Sequence, residues 1–250
     1  LGVAVALTGV SAAAAQTYRP SFQPDQLKGP PAGRVNEVLV LASPHLSQMD
    51  GAVRVDMLAP LLDRLAAWAP EVIAIENVSG LQCDAMRRYT QRYASSIEDY
   101  CPDVSHAGQQ TGLDVPAANA EVERLLGEWP AAPTPEQRRR LAGVFLAAGE
   151  PTSALVQWLR LAPAERREGE GLDATLVAQL NTQLDSINES DSVAAALAAR
   201  LGLERVWSVD DHSADRIPTD RAGFRRAIRQ AWDNPASEAR AAARAPYEAA

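Results

Sequence analysis

The sequence predicts an α/β fold with a small, mostly parallel β-sheet flanked by helices and a large all-helical insertion. Short apolar runs at 36–42 and 70–76 are separated by a segment with apolar positions at helical spacing, which is the pattern of a βαβ unit with parallel strands. A third short apolar run lies at 204–209. Between the second and third runs, residues from about 117 to 200 show almost only helical patterns.

The first predicted strand, NEVLVLA at 36–42, is apolar and rich in β-formers without clean alternation, as in a strand buried on both faces. The helix that follows should end before Pro70, and Pro60 either kinks it or marks its true start. The second predicted strand, PEVIAIE at 70–76, completes the βαβ unit.

The helical insertion is predicted at about 117–172. Within it, a helix hairpin should begin near Pro135, turn at 149–151 and stop near Pro163. The hairpin resembles one tetratricopeptide unit, but the sequence shows no second copy, and a single copy cannot bury its faces as a solenoid does. We therefore expect a helical cap over the sheet rather than a peptide-binding repeat.

A long helix is expected from about 174 to 201, ending at Gly202, a residue type that favours helix termination. The third strand, 204–209, comes next. The closing stretch is expected to form one helix to about Trp232, followed by a segment rich in Ala and Arg.

The N-terminal residues LGVAVALTGVSAAAAQ combine an apolar run with three alanines before Gln16, a pattern typical of a secretory cleavage site. We expect a signal peptide at 1–15, a proline-rich linker at 16–34 and a single α/β domain at 35–250. The protein would then be periplasmic or secreted. The apolar run is too short for a membrane span and no Cys follows it, so we expect no stable membrane anchor. Because nothing marks a natural end, we also expect the chain to be truncated at its C-terminus.

Composition narrows the class of partner. Hydrophobic residues make up 46% of 250 residues, which suffices for one sizeable core. The net charge of −8 gives no positively charged surface to attract a phosphate backbone, so we expect no nucleic-acid partner.

In an oxidising compartment Cys83 and Cys101 could form a disulfide. Two separate buried thiols are the alternative, because sequence does not show whether the two Cα atoms come within bridging range.

Polar residues follow each predicted strand. His45, one of three histidines, follows the first, Glu76 ends the second, and Asp210, Asp211 and His212 follow the third. Ligands of open parallel sheets bind beyond the carboxyl ends of the strands, so these side chains should converge on one edge. Considered one at a time, these residues can also have purely structural roles, as a hydrogen-bonded loop residue, a helix cap or part of an Asx-turn. His106 lies in a polar loop and is expected to be solvated.

Imidazole and carboxylates together suit two chemistries. They could hold a divalent metal ion that lowers the pKa of bound water, or His45 could be a general base oriented by a carboxylate. The sequence contains no HExxH, GxSxG, P-loop or GxGxxG motif. The zinc-protease, α/β-hydrolase and nucleotide-binding fingerprints are therefore missing.

The segments VLVLASPHL, IAIE and INESDSVAAALAARLGLERVWSVDDHS resemble an uncharacterised bacterial family. That family lies in the superfamily that includes TraB/Tiki proteins, erythromycin esterases and ChaN-like haem-binding proteins. The resemblance covers about 35–215. It implies a site made of His45, Glu76, Asn188, Glu189 and Asp210, with Asp211 and His212 as weaker candidates. The chain departs from the family pattern at Ala42, where Gly is usual, and lacks a second Gly-x-x-His segment.

The resemblance implies two kinds of role. Tiki-like proteins are metal-dependent peptidases and erythromycin esterases are hydrolases with a His/Glu pair, whereas ChaN-like proteins bind haem. We expect an exported hydrolase of a small-molecule or peptide substrate with catalytic residues His45, Glu76 and Asp210. A bound metal ion would be held among His45, Glu76, Glu189, Asp210, Asp211 and His212. The alternative is a protein that binds haem or another small molecule, or a catalytically degenerate protein with a helical interaction surface at 134–162.

Overall fold

The computed structural model describes residues 36–49, 53–215 and 220–248. The chain divides into two compact units, 1–42 and 43–250. In the first unit, the predicted signal peptide and linker lie outside the described residues. Residues 36–42 are described and form no strand, with Val38 and Val40 more than four-fifths exposed. The prediction of a first strand at 36–42 is therefore wrong for this structure, because an apolar run becomes a strand only when a neighbour pairs with its backbone.

The second unit holds eleven α-helices and two β-strands among its described residues. The strands are β1 (Ala74–Val78) and β2 (Trp207–Asp210). The helices are α1 (Ala59–Trp68), α2 (Gly80–Arg87), α3 (Thr90–Tyr100), α4 (Ser105–Thr111), α5 (Val115–Gly127), α6 (Pro135–Ala147), α7 (Pro151–Leu159), α8 (Ala174–Leu184), α9 (Ala196–Leu201), α10 (Arg221–Trp232) and α11 (Pro235–Glu248). Short 3₁₀ turns occur at Leu46–Gln48, Val55–Leu58 and Pro163–Glu165.

The two strands form a parallel sheet in which Ala74 pairs with Trp207 and Ile75 with Ser208. Ile75 and Val78 of β1 are buried against the helices. Together the helices and the parallel pair confirm the mixed α/β class. Within the described residues the sheet has only the second and third predicted strands, shifted a few residues towards the C-terminus.

Capping residues account for several helix boundaries that the sequence predicts. Thr134 and Gln137 form a reciprocal capping box before α6, with Pro135 at its first position. Pro60 lies in the first turn of α1, so it marks the start of that helix rather than a kink. Gly149, at a φ of +78°, carries the chain from α6 into α7. The predicted hairpin is confirmed.

The α6–α7 hairpin lies at the centre of the main hydrophobic core. Phe145, Leu141 and Trp158 are fully buried, and Ser153 of α7 hydrogen-bonds the backbone of Val206 just before β2. The hairpin is therefore part of the core itself rather than a cap added above it. Its apolar side chains between 141 and 158 are buried, so they do not form the exposed patch that the interaction-surface alternative requires.

The predicted long helix from 174 to 201 is wrong. Helix α8 ends at Leu184, a turn follows, and a π-helical turn at Ser190–Ala195 leads into α9. The Ser186 hydroxyl accepts a hydrogen bond from the Asn188 N–H, and the Asn188 side-chain oxygen accepts one from the Ser190 N–H. Such short polar side chains compete for backbone groups and break the helix. The predicted end at Gly202 is confirmed.

Cys83 and Cys101 form a disulfide that joins α2 to the end of α3, with Cα atoms 5.6 Å apart. The structure thus decides between the two alternatives that the sequence left open. Across the described residues, every helix is too short or too polar to cross a lipid bilayer.

Candidate functional site

His45 pairs with a carboxylate that is 144 residues away in sequence. Its Nδ1 lies 2.9 Å from Oε1 of Glu189, and the backbone N–H of Leu46 donates to the other oxygen of Glu189 at 3.2 Å. The imidazole side chain is 57% exposed and the carboxylate 24%. No residue that the structure describes hydrogen-bonds Nε2 of His45. The Nδ1 edge of the imidazole is therefore held by Glu189, while Nε2 remains available to contact a bound molecule.

A small hydrophobic cluster positions this pair. Leu46, next to His45, is buried together with Leu58 and with Val193 of the π-helical turn. Apolar side chains of α1 pack around these three. Burial of Leu46 therefore holds the 3₁₀ turn that carries His45 against the segment that carries Glu189.

Glu189 lies at the N-terminal end of the π-helical turn, directly after Asn188. The Asn188 side chain accepts the Ser190 N–H at 2.9 Å, so this candidate site residue caps the turn. π-Helical turns are rare and occur often at functional sites. The turn presents the Glu189 carboxylate to His45.

The electrostatics of Glu189 favour a carboxylate. Burial favours the neutral acid, but hydrogen bonds from its own backbone N–H, from His45 and from the Leu46 N–H outweigh burial and lower the pKa of Glu189 below its ordinary value. An ionised Glu189 accepts a hydrogen bond from Nδ1 of His45, and in a neutral imidazole this contact favours the tautomer whose Nε2 lone pair is free. The arrangement can therefore accept a proton at Nε2.

Glu76 is not the carboxylate that contacts His45. It lies on the exposed face of β1 and forms no hydrogen bond or ion pair with any described residue. The sequence paired His45 with Glu76 and placed Glu189 among the metal ligands. In the structure Glu189 has the orienting position.

Asp210, Asp211 and His212 form a second cluster at the end of β2. The His212 imidazole contacts Asp210 through Nε2 at 2.9 Å and Asp215 through Nδ1 at 2.8 Å, and its ring stacks on Tyr100. Asp211 accepts a hydrogen bond from the Gln82 side chain. Burial lowers the pKa of His212, but the two carboxylates raise it more, so it lies above the ordinary value. Both ring nitrogens are occupied, which leaves no free lone pair for a metal ion.

The six predicted metal ligands do not come together. Their contacts divide them into the His45–Glu189 pair, the cluster at the end of β2, and Glu76, which has no hydrogen-bond or ion-pair partner among the described residues. Among the described residues, no group of three or more His, Cys, Asp and Glu side chains is arranged to hold a metal ion. The described residues therefore present no preformed site for the divalent metal ion that the sequence suggested.

The sequence missed a buried polar network beside Glu189. The Asn77 side-chain oxygen accepts from the Ser190 hydroxyl at 3.1 Å, and its amide donates to the Thr152 hydroxyl at 3.3 Å. The Thr152 hydroxyl in turn lies 3.5 Å from Asp191. Burial raises the pKa of the Asp191 carboxyl. The only sequence signal was position: Asn77 follows Glu76 at the tip of β1, and Ser190 follows Glu189.

His106 has a partner as well. Its Nε2 lies 2.7 Å from Asp173, whose other oxygen caps α8. Since Asp173 is already engaged at a helix N-terminus, this pair has a structural explanation.

A cleft of about 250 Å³ is lined by residues that belong to neither cluster. It is bordered mainly by α2, α4 and α5, and lined by Asp84, Arg87, Asp103, Val104, Ser105, Gly108, Leu113, Asp114, Val115 and Ala147. None of these residues belongs to the predicted site. The lining contains no His or Tyr, so it supplies no axial ligand of the kind that the haem-binding alternative requires.

Comparison of the chain with protein-family models, with curated proteins and with solved structures gave no significant match. The resemblance to the TraB/Tiki, erythromycin esterase and ChaN-like superfamily stays a prediction.

Proposed function

We propose that this chain is an exported hydrolase that uses His45 as a general base, oriented by Glu189, on a small-molecule ester or a peptide. The observation that carries the proposal is the double use of Glu189: one oxygen accepts from His45 Nδ1 and the other from the Leu46 N–H. The carboxylate is thereby fixed relative to the turn that carries His45. A carboxylate held in this way orients an imidazole for proton transfer at Nε2.

In the proposed reaction Nε2 of His45 removes a proton from water as the water oxygen attacks the acyl carbonyl carbon. A C–O bond forms, and the bond to the leaving alcohol or amine breaks as His45 returns the proton to it. Glu189 stabilises the imidazolium between these two steps. General-base catalysis of this kind contributes about 10² to 10⁴ in rate.

The Cys83–Cys101 disulfide supports the proposed location outside the cytoplasm. Disulfides persist in the periplasm and in secreted proteins and are rare where cellular thiols are kept reduced. The signal peptide expected at 1–15 lies outside the described residues.

The test is hydrolysis of a panel of carboxyl esters and peptides by the wild type and by His45→Ala. We expect His45→Ala to lower kcat/KM by about 10² to 10⁴ on the substrates that the wild type hydrolyses. His106→Ala is the matched control, because it removes another partly exposed imidazole paired with a carboxylate and should leave the rate unchanged. Equal rates for the wild type and His45→Ala across the panel would overturn the proposal.

A further inference from the structure

We propose that Asn77 is a positioning residue for the His45–Glu189 pair and acts through Ser190. This inference rests on the function proposed above. It identifies Asn77, rather than its neighbour Glu76, as the residue at the tip of β1 that serves the site.

The contacts form a continuous path from the core to Glu189. Thr152 lies in the first turn of α7 and is 3% exposed, so it belongs to the buried centre of the unit. Asn77 uses both ends of its amide, with the NH₂ group on Thr152 and the carbonyl on the Ser190 hydroxyl. Ser190 is the residue directly after Glu189 and is itself buried. The amide therefore joins β1 and α7 to the start of the π-helical turn.

The π-helical turn requires contacts with other elements to hold it in place. Its backbone departs from the α-helical pattern, and the side chain of Asn188, which precedes Glu189, bonds only the backbone of the turn itself. Ser190 supplies the side-chain hydrogen bond from this end of the turn to β1. Without it, the Glu189 carboxylate can shift relative to His45 even while the fold remains. A shift of about 1 Å between catalytic groups can cost about 10²-fold in rate.

The test compares Ser190→Ala with wild type in the full chain. Ser190→Ala removes one hydroxyl and no bulk, so it should fold. We expect kcat to fall about 10- to 100-fold with little change in KM. Asn77→Ala should have the same effect, and Ser190→Thr, which keeps the hydroxyl, should restore most of the rate. Ser153→Ala is the matched control, since it removes a buried serine whose hydroxyl bonds only the backbone of Val206 among the described residues and contacts neither Asn77 nor Ser190 through a hydrogen bond.

A second measurement does not depend on activity. ¹⁵N NMR at alkaline pH, where imidazoles are neutral, reports which ring nitrogen of His45 carries the proton. The chain has three histidines, so the His45→Ala spectrum identifies the signal. We expect wild type to hold the Nδ1–H tautomer and Ser190→Ala to show more of the Nε2–H tautomer.

The outcomes separate this inference from the proposed function. If His45→Ala abolishes hydrolysis while Ser190→Ala changes neither kcat nor the tautomer, the positioning role is wrong and the function stands. If no hydrolysis depends on His45, the function is wrong, and an unchanged tautomer in Ser190→Ala overturns the positioning role as well. A lower melting temperature with an unchanged tautomer means that the network only stabilises the fold.

Discussion

His45 and His212 differ in the number of carboxylates that their imidazoles contact. His45 contacts one, Glu189, and keeps Nε2 without a partner among the described residues. His212 contacts two, Asp210 and Asp215. Both nitrogens of His212 can donate at once only when the ring is protonated. The first arrangement suits a base, while the second suits a charged group that ties the end of β2 to the following turn.

The His212 cluster predicts a pH-dependent stability. Its pKa in the folded protein lies above the ordinary value of 6.5. Its contribution to the free energy of unfolding is therefore fully present below about pH 6.5 and is lost as the pH rises through the raised value. We expect His212→Gln to cost about 1 to 3 kcal/mol at about pH 5.5 and clearly less at about pH 9, by chemical denaturation.

Asp215→Asn serves as the companion variant for His212, because it removes one of the two carboxylates that raise the pKa. The pH dependence should weaken without disappearing. A loss of stability in His212→Gln that is equal at both pH values would show that the charge on His212 does not contribute to the stability of this cluster.

Residue identity alone indicated the polar candidates but not their partners. His45 could be singled out because it follows an apolar run, and a carboxylate partner could be expected from chemistry. The resemblance placed Glu189 among the site residues, but its pairing with His45 could not be predicted, because that pairing depends on the break between α8 and α9 and on burial of Leu46 against Val193. Asn77 went unnoticed for the same reason, since its two hydrogen bonds reach residues far away in sequence.

At the scale of elements, boundaries with a local cause were predictable. Pro60 and Pro135 start their helices, and Gly202 ends α9. The break after Leu184 was not predicted, because apolar spacing from 174 to 201 continues through it while Ser186 and Asn188 take over the backbone hydrogen bonds. The spacing of apolar residues indicates which face of a helix can be buried, whereas local polar side chains determine where the helix ends.

Helix α2 approaches the α6–α7 turn closely at Gly80. A Cβ on Gly80 would overlap the carbonyl oxygen of Ala148, and a Cβ on Gly149 would lie 2.7 Å from the Cα of Gly80. The Gly80 N–H also donates to the buried Glu150 side chain at 3.1 Å. Glycine at position 80 therefore sets how near α2 can approach the hairpin.

We expect Gly80→Ala to lower the free energy of unfolding by about 3 kcal/mol, because neither backbone can move aside cheaply. The matched control is Gly127→Ala near the end of α5, where no atom lies within 4 Å of an added Cβ. That variant should be neutral or more stable by up to about 1 kcal/mol. Urea denaturation of both variants checks the difference, and similar values for the two would show that the contact at Gly80 is looser than the structure indicates.

At the scale of the whole molecule, helices supply most of the hydrophobic core among the described residues, and the sheet contributes two short strands. The fully buried Phe145 and Trp158 lie on the α6–α7 hairpin, whereas β1 ends at Asn77 and Val78, beside the turn that carries Glu189. The parallel pairing of two distant apolar runs was predictable. The small size of the sheet in the described residues was not, because 36–42 has the composition of a strand without forming one here.

In the proposed function, His45 and Glu189 act as one catalytic unit. A double-mutant cycle on kcat/KM tests it most directly, with His45→Ala, Glu189→Gln and the double variant on one hydrolysed ester. We predict that Glu189→Gln lowers kcat/KM by at least about tenfold and that the double variant is no slower than His45→Ala alone. Independent effects that multiply in the double variant, or an unchanged rate in Glu189→Gln, would contradict the account.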